Sequence, residues 1–203
     1  MEDDTTAYYT DNAEAFVADT LTVDMAPLYA RFLPRIPAGG HILDAGCGSG
    51  RDARAFLDRG YAVTAFDASA ALAALAASHL GQPVQVLRFQ DVQWTRTFDG
   101  IWACASLLHV PHGELADALR RLARALRPGG LLYASFKYGG GEHRRQGRRF
   151  TDLDEAGLAA LLGQVPGLSV ADTWTSGDLR PGRASERWLN ALLSAAVPSC
   201  PIT

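Results

Sequence analysis

Short apolar runs alternate along the chain with segments whose apolar residues recur at helical spacing, a pattern that predicts parallel α/β layers. The runs HILDAG (41–46), AVTAFD (62–67), PVQVLRF (83–89), FDGIWACA (98–105) and GLLYASFKY (130–138) read as buried strands. Over 112–127, Leu115, Leu119, Leu122 and Leu126 recur at steps of four, three and four, a single apolar stripe. That spacing predicts a helix beginning after Pro111 and stopping at Pro128-Gly129-Gly130. The Ala-rich segment 69–79 is helical by propensity. Thr151 and Asp154 have the form of a capping box and predict a helix over 152–163. LSVADTW (168–174) reads as a further strand, SGDLRPGRASE (176–186) as a loop or hairpin turn, and 23–33 as helix-prone. There is no internal repeat and no dividing linker, so one domain over 1–203 is expected.

Composition narrows the class. The 203 residues are 48% hydrophobic, 20% charged and 9% aromatic, a globular mix that excludes disorder and coiled coil. A net charge of −3 argues against whole-molecule nucleic-acid binding. Cys47, Cys104 and Cys200 are scattered and fit neither a disulfide framework nor a zinc cluster, which favours a reducing cytosol. The start, MEDDTT, is acidic, opposite to a signal peptide. The longest stretch without Asp, Glu, Lys or Arg, Ala68 to Leu87, is broken by His79, Gly81 and Pro83, so no membrane span is expected. A cytoplasmic monomer or homodimer, with neither membrane nor nucleic acid as partner, is the expectation.

Charge is uneven, and this changes the picture. Residues 1–30 carry seven acids and no Lys or Arg, whereas 120–150 carry nine Lys or Arg and one acid, Glu142. Two solvated faces account for this, as does an acidic lid beside a basic, anion-attracting mouth.

The candidate chemistry centres on HILDAGCGSGRDA (41–53). A strand ends in Asp44, runs into Gly46-Cys47-Gly48-Ser49-Gly50 and continues into a helix-prone stretch. Glycines there allow a sharp turn and close approach of a ligand to the backbone. The dinucleotide fingerprint would need its third glycine at 51, where this chain has Arg51. Asp44 would repel a pyrophosphate but attract an ammonium group, while Arg51 would meet a carboxylate, so an amino-acid ligand suits the turn. Asp67, at the tip of the second strand, lies 21 residues after Gly46, where a carboxylate can accept both hydroxyls of a ribose. After the third strand, Gln90-Asp91-Val92 stands where an adenine edge would lie, and the small and apolar residues of 98–111 could line a flat slot.

With these segments in place, the sequence resembles the class I S-adenosylmethionine-dependent methyltransferase family. The resemblance rests on ILDAGCGSG (42–50), VTAFDAS (63–69), QDV (90–92), FDGIWACASLLHV (98–110) and LRPGGLLYASF (126–136), in the family's order and spacing. The opening AYYTDNAEAFVADT (7–20) is similar to the lid helix of its small-molecule branch, and the compact build to tellurite-resistance-type and related bacterial methyltransferases. The resemblance implies a doubly wound, Rossmann-like, mostly parallel seven-stranded sheet with helices on both faces. LSVADTW becomes its sixth strand and ERWLNALL (186–193) an antiparallel last strand, although propensity alone would make that segment a helix. It also implies a lid or helical extension over 1–38 and a cofactor-binding core over 39–203.

By motif position, Asp44, Gly46 and Gly48 would hold the methionine part of S-adenosyl-L-methionine, with Arg51 as carboxylate partner. Asp67 would bind the ribose, Ala68 would pack by the adenine, and Asp91 and Val92 would read its edge. Ala105, Ser106 and Leu107 would lie beside the sulfonium, and Tyr8, Tyr9 and Asn12 would come from the lid. His109 is either a general base or a polar group shaping the pocket. Among Phe136, Lys137 and Tyr138, Tyr138 is expected on the substrate side. The segment 139–145 is expected to be a flexible gating loop whose arginines are solvated or clamp an anion. Cys47, Cys104, Trp102, Trp174 and Trp188 read as structural, and Trp94 as a surface or pocket-edge residue. The methyl group of a sulfonium is already activated, so the absence of a triad or metal motif does not exclude an enzyme. The implied reaction is in-line methyl transfer to a small acceptor. The rival readings are a nicotinamide-dependent oxidoreductase and an S-adenosylmethionine-binding module without turnover.

Overall fold

The apolar runs at 41–45, 62–67 and 98–103 fold as adjacent parallel strands: β1 (His41–Ala45) lies between β2 (Ala62–Asp67) and β4 (Phe98–Ala103). The computed structural model describes residues 4–180, 182–183 and 185–197, so Cys200 lies outside the described residues. With β3 (Gln85–Val86), β5 (Leu126–Lys137), β8 (Leu168–Gly177) and β9 (Arg187–Ala195), the main sheet has seven strands in the order β3-β2-β1-β4-β5-β9-β8. β9 alone runs antiparallel to its neighbours. The 187–195 segment is a strand because its apolar residues are sandwiched between β5 and β8, where tertiary pairing overrides helical propensity.

Strand alternation sends residues to two opposite layers. Leu43 and Ile101 pack with α6 (His112–Ala125) and α7 (Glu155–Leu162), whereas Ile42 and Trp102 pack with α3 (Ala26–Phe32) and α4 (Arg51–Leu57). The leucine stripe of α6 is buried throughout, as its spacing predicts. The Ala-rich segment forms α5 (Ala70–Leu80), where the Ser69 hydroxyl accepts from the Leu72 amide and Gly81 ends the helix at φ +68°. The chain before the sheet forms α1 (Asp4–Asp11) and α2 (Ala13–Thr20), which reach across to α5. Among the described residues no helix is long and apolar enough to cross a membrane.

Three expectations are corrected. The 139–150 region is a hairpin rather than a loop: β6 (Gly141–Arg145) pairs with β7 (Arg148–Asp152), and α1 rests on β7. Thr151 does not cap the following helix. It is buried on β7, where its hydroxyl donates to the Val110 carbonyl, and Asp154 caps α7 by accepting from the Gly157 amide at 2.7 Å. The run 83–89 pairs only over Gln85–Val86 before the chain turns.

Candidate active site

β1 ends directly on the glycine turn. Gly46, Gly48 and Gly50 all have left-handed φ values, +75°, +54° and +76°. The amides of Gly46 and Cys47 both donate to the Phe66 carbonyl on β2, which pins the turn to the next strand. At Gly46 a Cβ would lie 2.5 Å from the Ser106 Cβ, so the turn and the end of β4 meet with no room for a side chain. Asp67, at the tip of β2, accepts from the Gly48 amide and from the Ser69 amide, each at 2.9 Å. Burial pushes its carboxyl above the usual carboxylate range, against the pull of the Ser69, Gly48 and Ala68 amides.

Asp44 is not among the cavity-lining residues. It is 2% exposed beneath the turn, where its carboxylate accepts the Ala53 amide at 3.0 Å and ties β1 to α4. Burial, and secondarily Asp52, push its carboxyl well above the usual range. Asp52 is a buried hub that sequence reasoning missed. It accepts from Arg51 Nε and Nη2 (2.7 and 2.9 Å), from the Tyr29 hydroxyl at 2.5 Å and from the Trp102 indole at 2.8 Å. Arg51 also donates to the Thr20 carbonyl on α2, at 3.3 Å. The only signal for Asp52 was an acid in the first turn of a helix, which ordinary helix-dipole preference already explains.

Above the turn lies a cavity of about 810 Å³, roofed by α1 and α2. Gly46, Gly48, Arg51, Asp67, Ala68 and Ala105 line it, as do Tyr8, Tyr9 and Asn12 from the roof. The Phe16 ring closes on Gly48 so tightly that a Cβ there would lie 2.9 Å from it. Thr10 bonds Ser69 across the rim at 3.2 Å, and Thr20 bonds Ser49 at 3.3 Å. Ala105 adopts φ +51° with its amide held by the Ser135 hydroxyl, a strained backbone at the cavity wall.

His109 and Tyr9 face each other at the far end. The Tyr9 hydroxyl and His109 Nε2 are 2.9 Å apart, and His109 Nδ1 is 2.7 Å from the Arg149 carbonyl. A carbonyl only accepts, so Nδ1 carries the proton and Nε2 accepts from Tyr9. Burial raises the Tyr9 hydroxyl's pKa, and Arg148 opposes the rise.

Besides Asp44, four expected site residues lie elsewhere. Val92 is buried in the core, and Asp91 points outward to an ion pair with Arg88 at 2.9 Å; Arg88, Phe89 and Gln90 line the cavity instead. The two-residue β3 ends early enough to shift the lining by that much. Leu107 is core, and Leu108 lines the cavity. Tyr138, the residue after β5, is outside the cavity lining and turned to the opposite side, its exposed hydroxyl donating to Glu155 at 2.9 Å. Strand alternation puts Tyr133, Ser135 and Lys137 on the cavity side.

The residues present suit an adenosyl amino acid. Asp67 offers a buried acceptor for a vicinal diol, Ala68, Leu87 and Phe89 offer an apolar stretch beside it, and Arg51 offers a cation at the methionine end.

Comparison with known proteins agrees with this geometry. The family described as "Methyltransferase domain" matches residues 17–163. A ubiquinone biosynthesis O-methyltransferase of Xanthomonas oryzae pv. oryzae is 37% identical over 105 residues, 48% of this chain and 43% of that enzyme. A malonyl-[acyl-carrier protein] O-methyltransferase of Enterobacter lignolyticus is 36% identical over 108 residues, 49% of this chain and 41% of that enzyme. The matches thus span less than half the length of these curated relatives. The Burkholderia thailandensis 1,6-didemethyltoxoflavin-N1-methyltransferase structure shares the fold, with a TM-score of 0.73 at 24% identity over 94% of this chain and 84% of that one.

Proposed function

Because this chain belongs to the class I S-adenosylmethionine-dependent methyltransferase family, we propose that it methylates a hydroxyl oxygen of a small acceptor enclosed beneath α1 and α2. The observation that carries this reading is a single cavity running from Asp67 and the glycine turn to the Tyr9–His109 pair. An adenosyl ligand and an acid–base pair thereby share one enclosed space. O-methyltransferase names among the curated relatives point to oxygen as the acceptor atom. Residues 1–38 act as lid and 39–203 as core, and a cytoplasmic location belongs to the same proposal.

S-adenosyl-L-methionine, when bound, supplies a methyl group already activated on a sulfonium sulfur. The chain's task is then to orient the acceptor, exclude water and accept a proton. Asp67 takes the ribose hydroxyls, the backbone of Gly46 and Gly48 lets the ligand approach closely, and Arg51, held by Asp52, turns its remaining N–H groups to a carboxylate. At the other end, the Tyr9 oxygen, which Arg148 also approaches, takes the acceptor proton while its own proton passes to His109 Nε2. The Arg149 carbonyl holds the imidazole in the tautomer this transfer requires. Helices α1 and α2, fastened at Thr10–Ser69 and Thr20–Ser49, keep water out.

Calorimetry with S-adenosylhomocysteine and NAD side by side tests the ligand class. Binding of the first and not the second is expected; NAD binding alone would overturn the proposal. A labelled-methyl screen across thiols, amines, hydroxy compounds and oxyanions then tests the acceptor atom, and preference for any class but hydroxy compounds would remove the role given to Tyr9 and His109.

A further inference from the structure

At the acceptor end the cavity wall is strongly cationic. Lys137 from β5, Arg145, Arg148 and Arg149 from the hairpin, and Arg180 and Arg183 from the segment before β9 all line it. Three of these cations are held by carboxylates. Lys137 pairs with Glu186 at 2.5 Å, Arg149 pairs with Glu142, and Arg180 grips Asp178 with its Nε at 2.9 Å. Arg145, Arg148 and Arg183 form no ion pair among the described residues.

Arg148 is the central one. Its guanidinium lies 4.4 Å from the Tyr8 ring centroid and 6.0 Å from that of Tyr9, and its Nη2 donates to Gln146 at 2.9 Å. Its Nε is buried and has no hydrogen-bond partner, and the same holds for Arg149 Nε next to it. A buried guanidinium N–H without an acceptor is costly, and native proteins leave few such groups unless a ligand or ion completes them. Only one other buried side-chain atom among the described residues lacks a partner, Asp152 Oδ1, and Asp152 is outside the cavity lining. The unsatisfied donors therefore gather at the acceptor end of the cavity, beside the Tyr9–His109 pair.

We propose that the acceptor carries an anionic group, a carboxylate or a phosphate, which Arg148 binds with Arg145 and Arg183 around it, presenting the substrate hydroxyl to Tyr9. This rests on the methyltransferase reading and adds a substrate class to it. Arg148 thereby has two roles: it takes the anion and packs against the Tyr8 and Tyr9 rings.

The test uses the protein saturated with S-adenosylhomocysteine, which occupies the cofactor half, and inorganic sulfate as the anion probe. Thermal melting is followed while sodium sulfate is titrated against sodium chloride at matched ionic strength. A saturable sulfate-specific rise in Tm is expected, with half-saturation about tenfold weaker in Arg148→Gln and largely retained in Arg148→Lys. If Arg148→Gln does not fold, the Arg145→Gln, Arg183→Gln double variant is the alternative, and it too is expected to bind sulfate more weakly. Arg120→Gln, on the outer face of α6, is expected to titrate like the parent. A parent protein that responds equally to sulfate and chloride, or Arg148→Gln (or the double variant in its place) that titrates like the parent, overturns the anion proposal. If S-adenosylhomocysteine itself fails to bind or to raise Tm, the methyltransferase reading fails separately.

Discussion

The Tyr9 hydroxyl donates to His109 Nε2 across 2.9 Å, joining residues one hundred positions apart in the chain. Tyr9 belongs to α1 and His109 to the turn that follows β4, so one bond links the roof of the cavity to its chemical wall. The rings also meet edge to face with centroids 5.3 Å apart. Displacing α1 would therefore remove the hydrogen bond on Nε2 while the Arg149 carbonyl still holds Nδ1.

Removing either partner should therefore affect turnover more than cofactor binding. With the acceptor found by the labelled-methyl screen, His109→Gln is expected to lower kcat by about 10²–10⁴-fold. Tyr9→Phe keeps the ring but breaks the relay, and should also lower kcat, by a smaller factor. Calorimetric affinity for S-adenosylhomocysteine should stay close to that of the parent in both. Unchanged kcat in His109→Gln would show that the acceptor needs no base and that His109 only shapes the pocket.

Asp67 gives a prediction of the opposite kind, in binding. Asp67→Ala deletes charge-assisted acceptors for the ribose and should weaken S-adenosylhomocysteine by about 10–100-fold. The sign of the pH effect follows from the raised carboxyl. The ionised form accepts the diol, so affinity is present above the folded-state pKa and falls as pH drops through it. That midpoint should lie above the ordinary Asp value of about 3.9. Asp67→Asn should bind weakly with no such step; a step of the same size in both proteins would rule out Asp67 as its source.

Much of this was legible in the sequence, and the misses share a cause. Strand positions, the α6 stripe and the Asp67 tip follow from period and punctuation, which are local. The antiparallel β9 required the family resemblance, because its strand state depends on β5 and β8 on either side of it. Tyr138 was placed on the wrong face because the direction of a single strand residue depends on register; Lys137 and Ser135 take the cavity side. Asp44 reads as a ligand-binding acid, yet it lies beneath the turn and outside the cavity lining, where one of its oxygens accepts the Ala53 amide. Asp52 gave no pattern at all, since Arg51, Tyr29 and Trp102 converge on it from three separate elements.

The glycine turn offers a comparison within one chain. Gly46 and Gly60 both have left-handed φ values, +75° and +84°, but a Cβ at 60 meets nothing within 4 Å. Gly60→Ala should thus cost only the backbone term, about 1–2 kcal/mol. Gly46→Ala carries the same term plus a Cβ 2.5 Å from the Ser106 Cβ, so the segment after β4 must move away from the turn. Urea denaturation should show the larger loss at 46, and S-adenosylhomocysteine affinity should fall only there. Equal losses at the two positions would mean that the turn tolerates side chains.

The Asp52 hub should dominate stability near the site. Asp52→Ala leaves the Arg51 cation, the Tyr29 hydroxyl and the Trp102 N–H without the carboxylate on which they converge. Breaking a buried pair in this way costs about 3–5 kcal/mol, measurable by urea denaturation at neutral pH. The pH dependence carries a sign. Arg51, Tyr29 and Trp102 outweigh burial and hold the Asp52 carboxyl below its ordinary value. Its contribution is therefore present above the unfolded pKa of about 3.9 and disappears as pH falls through the lower folded value. Asp44, pushed up by burial and by Asp52, acts in the opposite sense: its contribution is present below about 3.9 and is lost as pH rises through its folded value. The stability gap between the parent and Asp52→Asn should consequently be widest at neutral pH and shrink on acidification, and a gap that stays constant down to the acid transition would show that the ion pair with Arg51 is not its origin.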